Sequence, residues 1–232
     1  MYLKKWNELP RFIKNEKVRP YYDCLSKKTF SLKLKRAFDF VVALIMLVLL
    51  FVPMLIIAIM IKLDSKGPVF FRQERVTMYG RKFYIHKFRT MVNHADKIGT
   101  GVTVNDDARI TNVGKKLRRL RIDELPQLID VLSGDMSFVG TRPESTKYVK
   151  CYSDEMFATL LMPAGITSEA SIKYKDEDKL LSSASNADSV YVNKVLPEKM
   201  KYNLTSIKNY SFFNDVKTMI KTVIAVFRKE KA

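Results

Sequence analysis

Residues 40–61 read FVVALIMLVLLFVPMLIIAIMI, twenty-two positions without one charged or hydrogen-bonding side chain. A helix of that composition has no polar face to turn toward water, so the run reads as a membrane segment. It follows some forty mostly polar and basic positions, which separates it from a cleaved secretory signal. As a straight helix it covers about 33 Å, enough to cross a bilayer. Its flanks are basic on both sides: Lys27, Lys28, Lys33, Lys35 and Arg36 precede it, and Lys62, Lys66, Arg72 and Arg75 follow it. By the positive-inside rule both flanks belong on the cytoplasmic side. A single span puts one flank outside, whereas a helix that enters, bends and returns keeps both inside. Pro53 lies in the interior of the run, where its ring and missing N–H kink a helix. An ordinary kink in a spanning helix and a bend for re-entry both fit these residues.

The 41 Lys and Arg against 24 Asp and Glu leave a formal charge of +17. Such a balance points to phosphate-rich ligands, nucleic acid or an anionic membrane surface. The apolar run and the lack of a recognised module argue against nucleic acid. Cys24 and Cys151 are far apart, and His86 and His94 match no zinc spacing, so neither a disulfide framework nor a structural zinc is expected. Three regions emerge. Residues 1–34 form a basic extension with scattered aromatics, suited to an anionic membrane surface. Residues 35–64 carry the apolar segment, and 65–232 the remaining domain.

Within that domain, residues 69–76 and 82–88 read as a strand hairpin turning at Tyr79-Gly80. Residues 115–121 (KKLRRLR) read as a basic helix, 125–132 as a second helix closed by Ser133-Gly134, and 136–139 as a strand. Residues 144–161 read as one helix. From Pro197 onward an apolar stripe at helical spacing, bounded by Lys and Arg, predicts a basic amphipathic helix. Core packing is the commoner fate of such a stripe and the membrane interface the alternative.

Neither G-x-x-x-x-G-K-[ST] nor a dinucleotide fingerprint occurs. The informative stretch is 118–144, RRLRIDELPQLIDVLSGDMSFVGTRPE, in which two adjacent carboxylates follow three arginines. Pro126 suits only the first turn of a helix, which places Asp123 near an N-cap and Glu124 in the first turn. There the helix end favours negative charge, so both acids are expected to be ionised. The same end attracts phosphate, with Arg118, Arg119 and Arg121 at hand. An ionised carboxylate beside phosphoryl oxygens can attack phosphorus while its neighbour holds a divalent ion. A capping acid beside a solvated one accounts for the same two residues. His86 alternates with apolar neighbours and reads as a structural histidine, and His94 as exposed. Asp106, Asp107 and Asp135 read as turn residues.

The strings KRAFDF (35–40), the proline-interrupted apolar run, GPVFFRQERV (67–76), KFRTM (87–91), RIDELPQLIDVLSGDMSFVGTRPE (121–144) and PAGIT (163–167) occur in an order that resembles the bacterial sugar transferases. These are monotopic polyprenyl-phosphate phosphoglycosyl transferases, and the resemblance is to their compact form. It implies an α+β fold: a membrane re-entrant helix broken near Pro53, joined to a small cytoplasmic α/β catalytic domain with amphipathic interfacial helices. It implies transfer of a phosphosugar from a UDP-sugar to undecaprenyl phosphate at the bacterial cytoplasmic membrane, with release of UMP. In that pattern Asp123 is the nucleophile, forming a covalent phosphosugar intermediate, and Glu124 helps bind Mg2+. Arg89, Arg121 and Arg142 correspond to phosphate-binding arginines, and Lys35, Arg36 and Asp39 to the juxtamembrane motif. The sequence departs from the pattern at Thr141, where proline is usual and whose loss leaves the loop less rigid, and at 168–178, which bears on nucleotide or sugar recognition. The sugar and the glycan pathway stay open, and a homodimer is allowed for. A basic, non-catalytic protein anchored in the bilayer and binding anionic lipid is the competing reading.

Overall fold

The computed structural model describes residues 3–93, 95, 107–174 and 186–227. Its N-terminal segment is no appendage. Leu9, Ile13, Val18 and Leu25, the last on helix α1 (Arg19–Ser26), are buried in one core with Leu160, Leu161, Ile207 and Tyr210. The extension expected on a membrane surface thus gives its aliphatic side chains to the domain that follows the apolar run. Burial of that kind contributes roughly 1.5–3 kcal/mol per large aliphatic side chain.

Helix α2 (Thr29–Asp64) contains the whole apolar run, and its helical assignment continues through Pro53. The break expected near Pro53 is therefore not a break in helical structure. One edge of α2, at spacings of three and four, faces the domain. Ahead of the proline, Ala43, Met46, Leu47 and Leu50 pack with Phe83, Leu128, Val131 and Phe138. Beyond it, Met54, Ile57, Ala58 and Ile61 pack with Phe88 and Leu117. The opposite face is bare: Val48, Leu49, Phe51 and Val52 are 61–71% exposed. Among the described residues α2 is the one helix long and apolar enough to cross a membrane, with a mean hydropathy of 3.3 over an 18-residue stretch.

Strands β1 (Phe70–Val76) and β2 (Lys82–Phe88) pair antiparallel as expected. Tyr79 and Gly80 supply the positive φ angles of their connection. Helix α3 (Asn112–Arg119) is capped by Thr111, whose hydroxyl accepts from the Gly114 N–H at 3.0 Å. A 3-10 turn (Ile122–Glu124) and helix α4 (Gln127–Ser133) follow. Gly134, at φ 86°, ends α4 in the left-handed conformation that glycine adopts without penalty. Strand β3 (Met136–Val139) pairs parallel with β4 (Ala164–Thr167).

The single helix expected over 144–161 is instead α5 (Thr146–Val149) and a 3-10 stretch (Met156–Leu161). The chain turns between them, which buries Tyr152 and carries Leu160 and Leu161 into the core. Helices α6 (Glu169–Lys173) and α7 (Ala187–Val190) come next. The C-terminal stripe divides into α8 (Leu196–Lys208) and α9 (Phe212–Phe227), because Tyr210 is buried and donates its hydroxyl to the Ser31 carbonyl at 3.1 Å. Core packing holds for α8, where Leu204 and Ile207 are buried, while α9 turns both apolar and polar groups inward, with Met219 packed against the core and Phe212 edge-on to Phe38. Asp215 meets Lys35 at 2.6 Å and Thr222 meets Thr167 at 2.7 Å, whereas Phe213, Ile220, Val223 and Ile224 are 56–80% exposed. His94, Asp106 and residues 175–178 of the sequence departure lie outside the described residues.

Candidate active site

The acidic pair sits on the 3-10 turn between α3 and α4. Arg121 opens that turn with φ 56°, a left-handed backbone that is costly for a residue with a side chain and concentrates at functional sites. Pro126, without an N–H to donate, occupies the N-cap position of α4. Asp123 is therefore not the cap of α4 that the sequence suggested; it lies a turn earlier, where the chain has yet to straighten into the helix.

The two acids experience opposite surroundings. Glu124 is 9% exposed, and its Oε1 accepts from Lys87 Nζ and from Arg142 Nη2, each at 2.8 Å. Burial alone would raise its pKa, but Arg142 and Lys87 outweigh burial and hold the carboxyl well below the usual carboxylate range. Asp123 is pushed upward by burial, with Lys87 opposing and Glu124 adding to the rise. Its Oδ1 is buried without a hydrogen-bond partner. So is Nε2 of Gln127, at the start of α4. Unsatisfied buried polar atoms are uncommon and costly in folded proteins; among the described residues two of the three lie at the acidic pair, and the third is Arg89 Nε at the end of α2.

Lys87 reaches Glu124 from β2, and burial, which the attraction of Glu124 opposes and the repulsion of Arg142 reinforces, leaves its pKa lowered. Arg142 comes from the loop after β3. That loop is fastened on both sides of Thr141: Gly140 N–H donates to Thr167 O at 3.0 Å, and Gly165 N–H donates to Thr141 O at 2.9 Å. Neither bond uses the Thr141 N–H, so this pairing to β4 is the same whether Thr or Pro stands there. Arg121 is exposed, and its charge, like that of Arg118, favours the ionised form of Asp123.

Arg89 is placed elsewhere. It is 5% exposed, and its guanidinium donates to the carbonyls of Lys66 and Ser65 at 3.0 and 2.7 Å and to the Ser65 hydroxyl at 2.9 Å, closing the end of α2. Gly67, at φ 131°, leaves room for it; a side chain there would collide with the guanidinium. The juxtamembrane residues hold the other end of α2. Lys35 Nζ donates to Val139 O at 2.9 Å and to Asp215 at 2.6 Å, and Arg36 donates to the carbonyls of Val131 and Leu132 at 2.6 and 2.8 Å. Asp39 accepts from the Ser137 hydroxyl at 2.7 Å. A cavity of about 200 Å³ beside them is lined by Lys35, Arg36, Asp39, Met78, Gly134, Met136 and Pro163.

Three contributors escaped the sequence reading. Lys87 was visible in principle, as a charge on the same strand face as buried Phe83 and Ile85. Nothing local announces Asp215, 180 positions from Lys35. Asp130 satisfies His86 twice, at 2.6 Å to Nδ1 and 2.9 Å to the backbone N–H, and so provides the partner that a structural histidine requires. Asp107 pairs with Arg109 at 2.6 Å, and Asp135 accepts from Ser133 at 2.9 Å, as turn residues do.

Among the described residues no three acidic, histidine or cysteine side chains converge as a complete metal cage. Mg2+ seldom needs one: it commonly takes one or two carboxylates and completes its shell with phosphate oxygens and water. Glu124, held ionised next to Asp123, is the carboxylate that would contribute to such a partial shell.

The bacterial sugar transferase family matches residues 30–229 of this chain. The chain is 37% identical over 194 residues to the UDP-N-acetylgalactosamine-undecaprenyl-phosphate N-acetylgalactosaminephosphotransferase of Aeromonas hydrophila, covering 82% of this chain and 43% of that protein. It is 36% identical over 220 residues to the UDP-glucose:undecaprenyl-phosphate glucose-1-phosphate transferase of Escherichia coli (strain K12), covering 93% and 44%. With the uncharacterized sugar transferase EpsL of Bacillus subtilis (strain 168) it shares 34% over 197 residues, covering 85% and 89%. The chain therefore spans less than half the length of the first two relatives and most of the third. The family match takes in α2, the acidic pair and every cation gathered around it, and the chain belongs to the bacterial sugar transferase family.

Proposed function

We propose that the protein transfers a phosphosugar from a UDP-sugar to undecaprenyl phosphate, releasing UMP and initiating a membrane-linked glycan. The observation that carries this reading is the buried, unpartnered Oδ1 of Asp123, beside a glutamate held between two cations. A carboxylate oxygen stripped of water and of hydrogen bonds keeps its lone pairs for an incoming phosphorus. In the first step an oxygen of Asp123 attacks the sugar-bearing phosphorus. The bond from that phosphorus to the bridging oxygen breaks, and UMP leaves with the oxygen and its electron pair. In the second step a phosphate oxygen of undecaprenyl phosphate attacks the same phosphorus, and the Asp123 carboxylate is regenerated. Lys87 and Arg142 orient Glu124 and face the phosphoryl charge. Mg2+, held by Glu124 together with phosphate oxygens and water, supplies neutralisation of phosphate charge when bound.

Re-entry of α2 from the cytoplasmic face is part of the same proposal. The residues before α2 and those after it share one hydrophobic core, and polar contacts tie both helix ends to one domain. A spanning helix would have to divide that core across the bilayer. Cys24 precedes α2 and Cys151 follows it. A membrane-impermeant maleimide applied to intact cells is expected to label neither; labelling of Cys24 alone would establish a span instead.

The reaction itself is tested by UMP release from the detergent-purified protein with undecaprenyl phosphate, Mg2+ and a panel of UDP-sugars. UMP from one donor supports the proposal and names the sugar. No UMP from any donor, with the protein folded and binding lipid, would favour a non-catalytic lipid-binding role.

A further inference from the structure

The inner face of the β1–β2 hairpin carries two polar side chains that the chemistry above leaves unused. Directly opposed residues of an antiparallel pair share a face. Arg75 lies opposite Phe83, Gln73 opposite Ile85 and Phe71 opposite Lys87. Gln73 and Arg75 thus stand on the same face as Lys87, the face that packs Phe83 and Ile85 against Leu128 and Val131 of α4. The Arg142 loop runs along the edge of β1, where the Val76 N–H donates to the Glu144 carbonyl at 2.9 Å.

The cations on this face differ in what they are bound to. Lys87 and Arg142 are both engaged with Glu124. The Arg75 guanidinium donates to the neutral Gln73 Oε1 at 2.6 Å and forms no ion pair among the described residues. Glu144, whose charge reaches Arg75, is occupied by the Tyr191 hydroxyl at 2.5 Å. Burial, and behind it the charge of Arg142, lowers the proton affinity of Arg75, with Glu144 opposing. Two partly buried guanidiniums in electrostatic reach of each other, one without a counter-ion, make a setting that an anion relieves.

We propose that Arg75, oriented by Gln73, binds a phosphate oxyanion of the substrates beside Arg142, on the hairpin face that also carries Lys87. The planar five-donor fork of arginine suits phosphate, and a fixed cation stabilises charge that grows on a departing phosphate. This rests on the transferase reading only for the source of the phosphate, which is either the nucleotide that leaves as UMP or the lipid phosphate that accepts the sugar.

The test compares the full-length wild type with Arg75→Gln and Arg75→Lys in detergent. UMP affinity is measured by calorimetry, and KM for undecaprenyl phosphate is measured at saturating UDP-sugar. Loss of a charge-assisted bond to phosphate predicts a weakening of about tenfold or more in Arg75→Gln, partly restored in Arg75→Lys. A loss confined to UMP affinity assigns Arg75 to the nucleotide, and one confined to the lipid KM assigns it to the acceptor. Unchanged UMP affinity and unchanged lipid KM would overturn the proposal, as would equal behaviour of the two variants with only a lowered melting temperature. UMP binding requires no turnover, so a wild type that binds UMP yet releases none from any donor counts against the transferase reading and leaves the assignment of Arg75 testable.

Discussion

Lys35 and Lys87 each pair with a carboxylate in this domain, yet the two clusters are built on opposite terms. Around Lys35 every polar group finds a partner: Asp215 and Val139 O take the ammonium, and Asp39 takes the Ser137 hydroxyl. Around Lys87 cations are in excess, one acid sits between two of them, and both Asp123 Oδ1 and Gln127 Nε2 are buried without partners. A satisfied network fixes the membrane helix to the domain; an unsatisfied one holds bonding capacity for a ligand. Position in the chain does not make this distinction. Completeness of bonding does.

Lys35→Met attacks the satisfied cluster. It leaves Asp215 and Asp39 without their cation, and breaking a buried pair costs about 3–5 kcal/mol. A large drop in melting temperature is expected, with turnover per folded molecule nearly intact; an equally large loss of turnover would erase the contrast between the clusters. Glu124→Gln attacks the other cluster, leaving Lys87 and Arg142 to repel each other at the proposed phosphate site. UMP release is expected to fall about a hundredfold or more, in the range seen when a preorganised charged group is lost. A near-normal rate would show that Glu124 is scaffolding.

The smallest expected effect is the most diagnostic in sign. The folded-state pKa of Asp123 is raised, so its favourable contribution is fully present below the unfolded carboxyl value of about 3.9 and is lost as pH rises through the folded value. At neutral pH the ionised group is then a cost to the fold. Asp123→Asn should melt slightly above wild type at pH 7, and the difference should vanish below about pH 4. The folded-state pKa of Glu124 is depressed, so its stabilisation is present above the unfolded value and fades as pH falls. Glu124→Gln should therefore melt below wild type at pH 7. Thermal melts of both variants across pH check the pair of signs, and shifts in the same direction would contradict the opposed environments.

Local signals in the sequence were enough for α2, the hairpin, α4 with its glycine stop, and the adjacency of Asp123 and Glu124 to a cluster of arginines. What it hid was set by distance and by burial. Period and charge in residues 3–28 resemble a surface segment, but Leu9, Ile13, Val18 and Leu25 find their partners near residues 160 and 207. The stripe of α9 reads as core, yet Lys35, Glu169 and Thr167 beneath it call for its polar side. Asp123 and Glu124 share a helix-end environment on paper, and only the arrival of Lys87 from β2 and Arg142 from the β3 loop pulls them apart. Arg89, matched by motif to phosphate, is held at the end of α2 by Ser65 and Lys66, a contact no spacing rule foretells.

The most direct measurement is to incubate the purified protein with a radiolabelled UDP-sugar and Mg2+, omit the lipid acceptor, and map the label by peptide mass. A phosphosugar adduct on the peptide containing Asp123, absent in Asp123→Asn and discharged on addition of undecaprenyl phosphate, is the predicted result. Turnover in the presence of acceptor, with no adduct in its absence or with the adduct on another residue, would contradict Asp123 as the nucleophile.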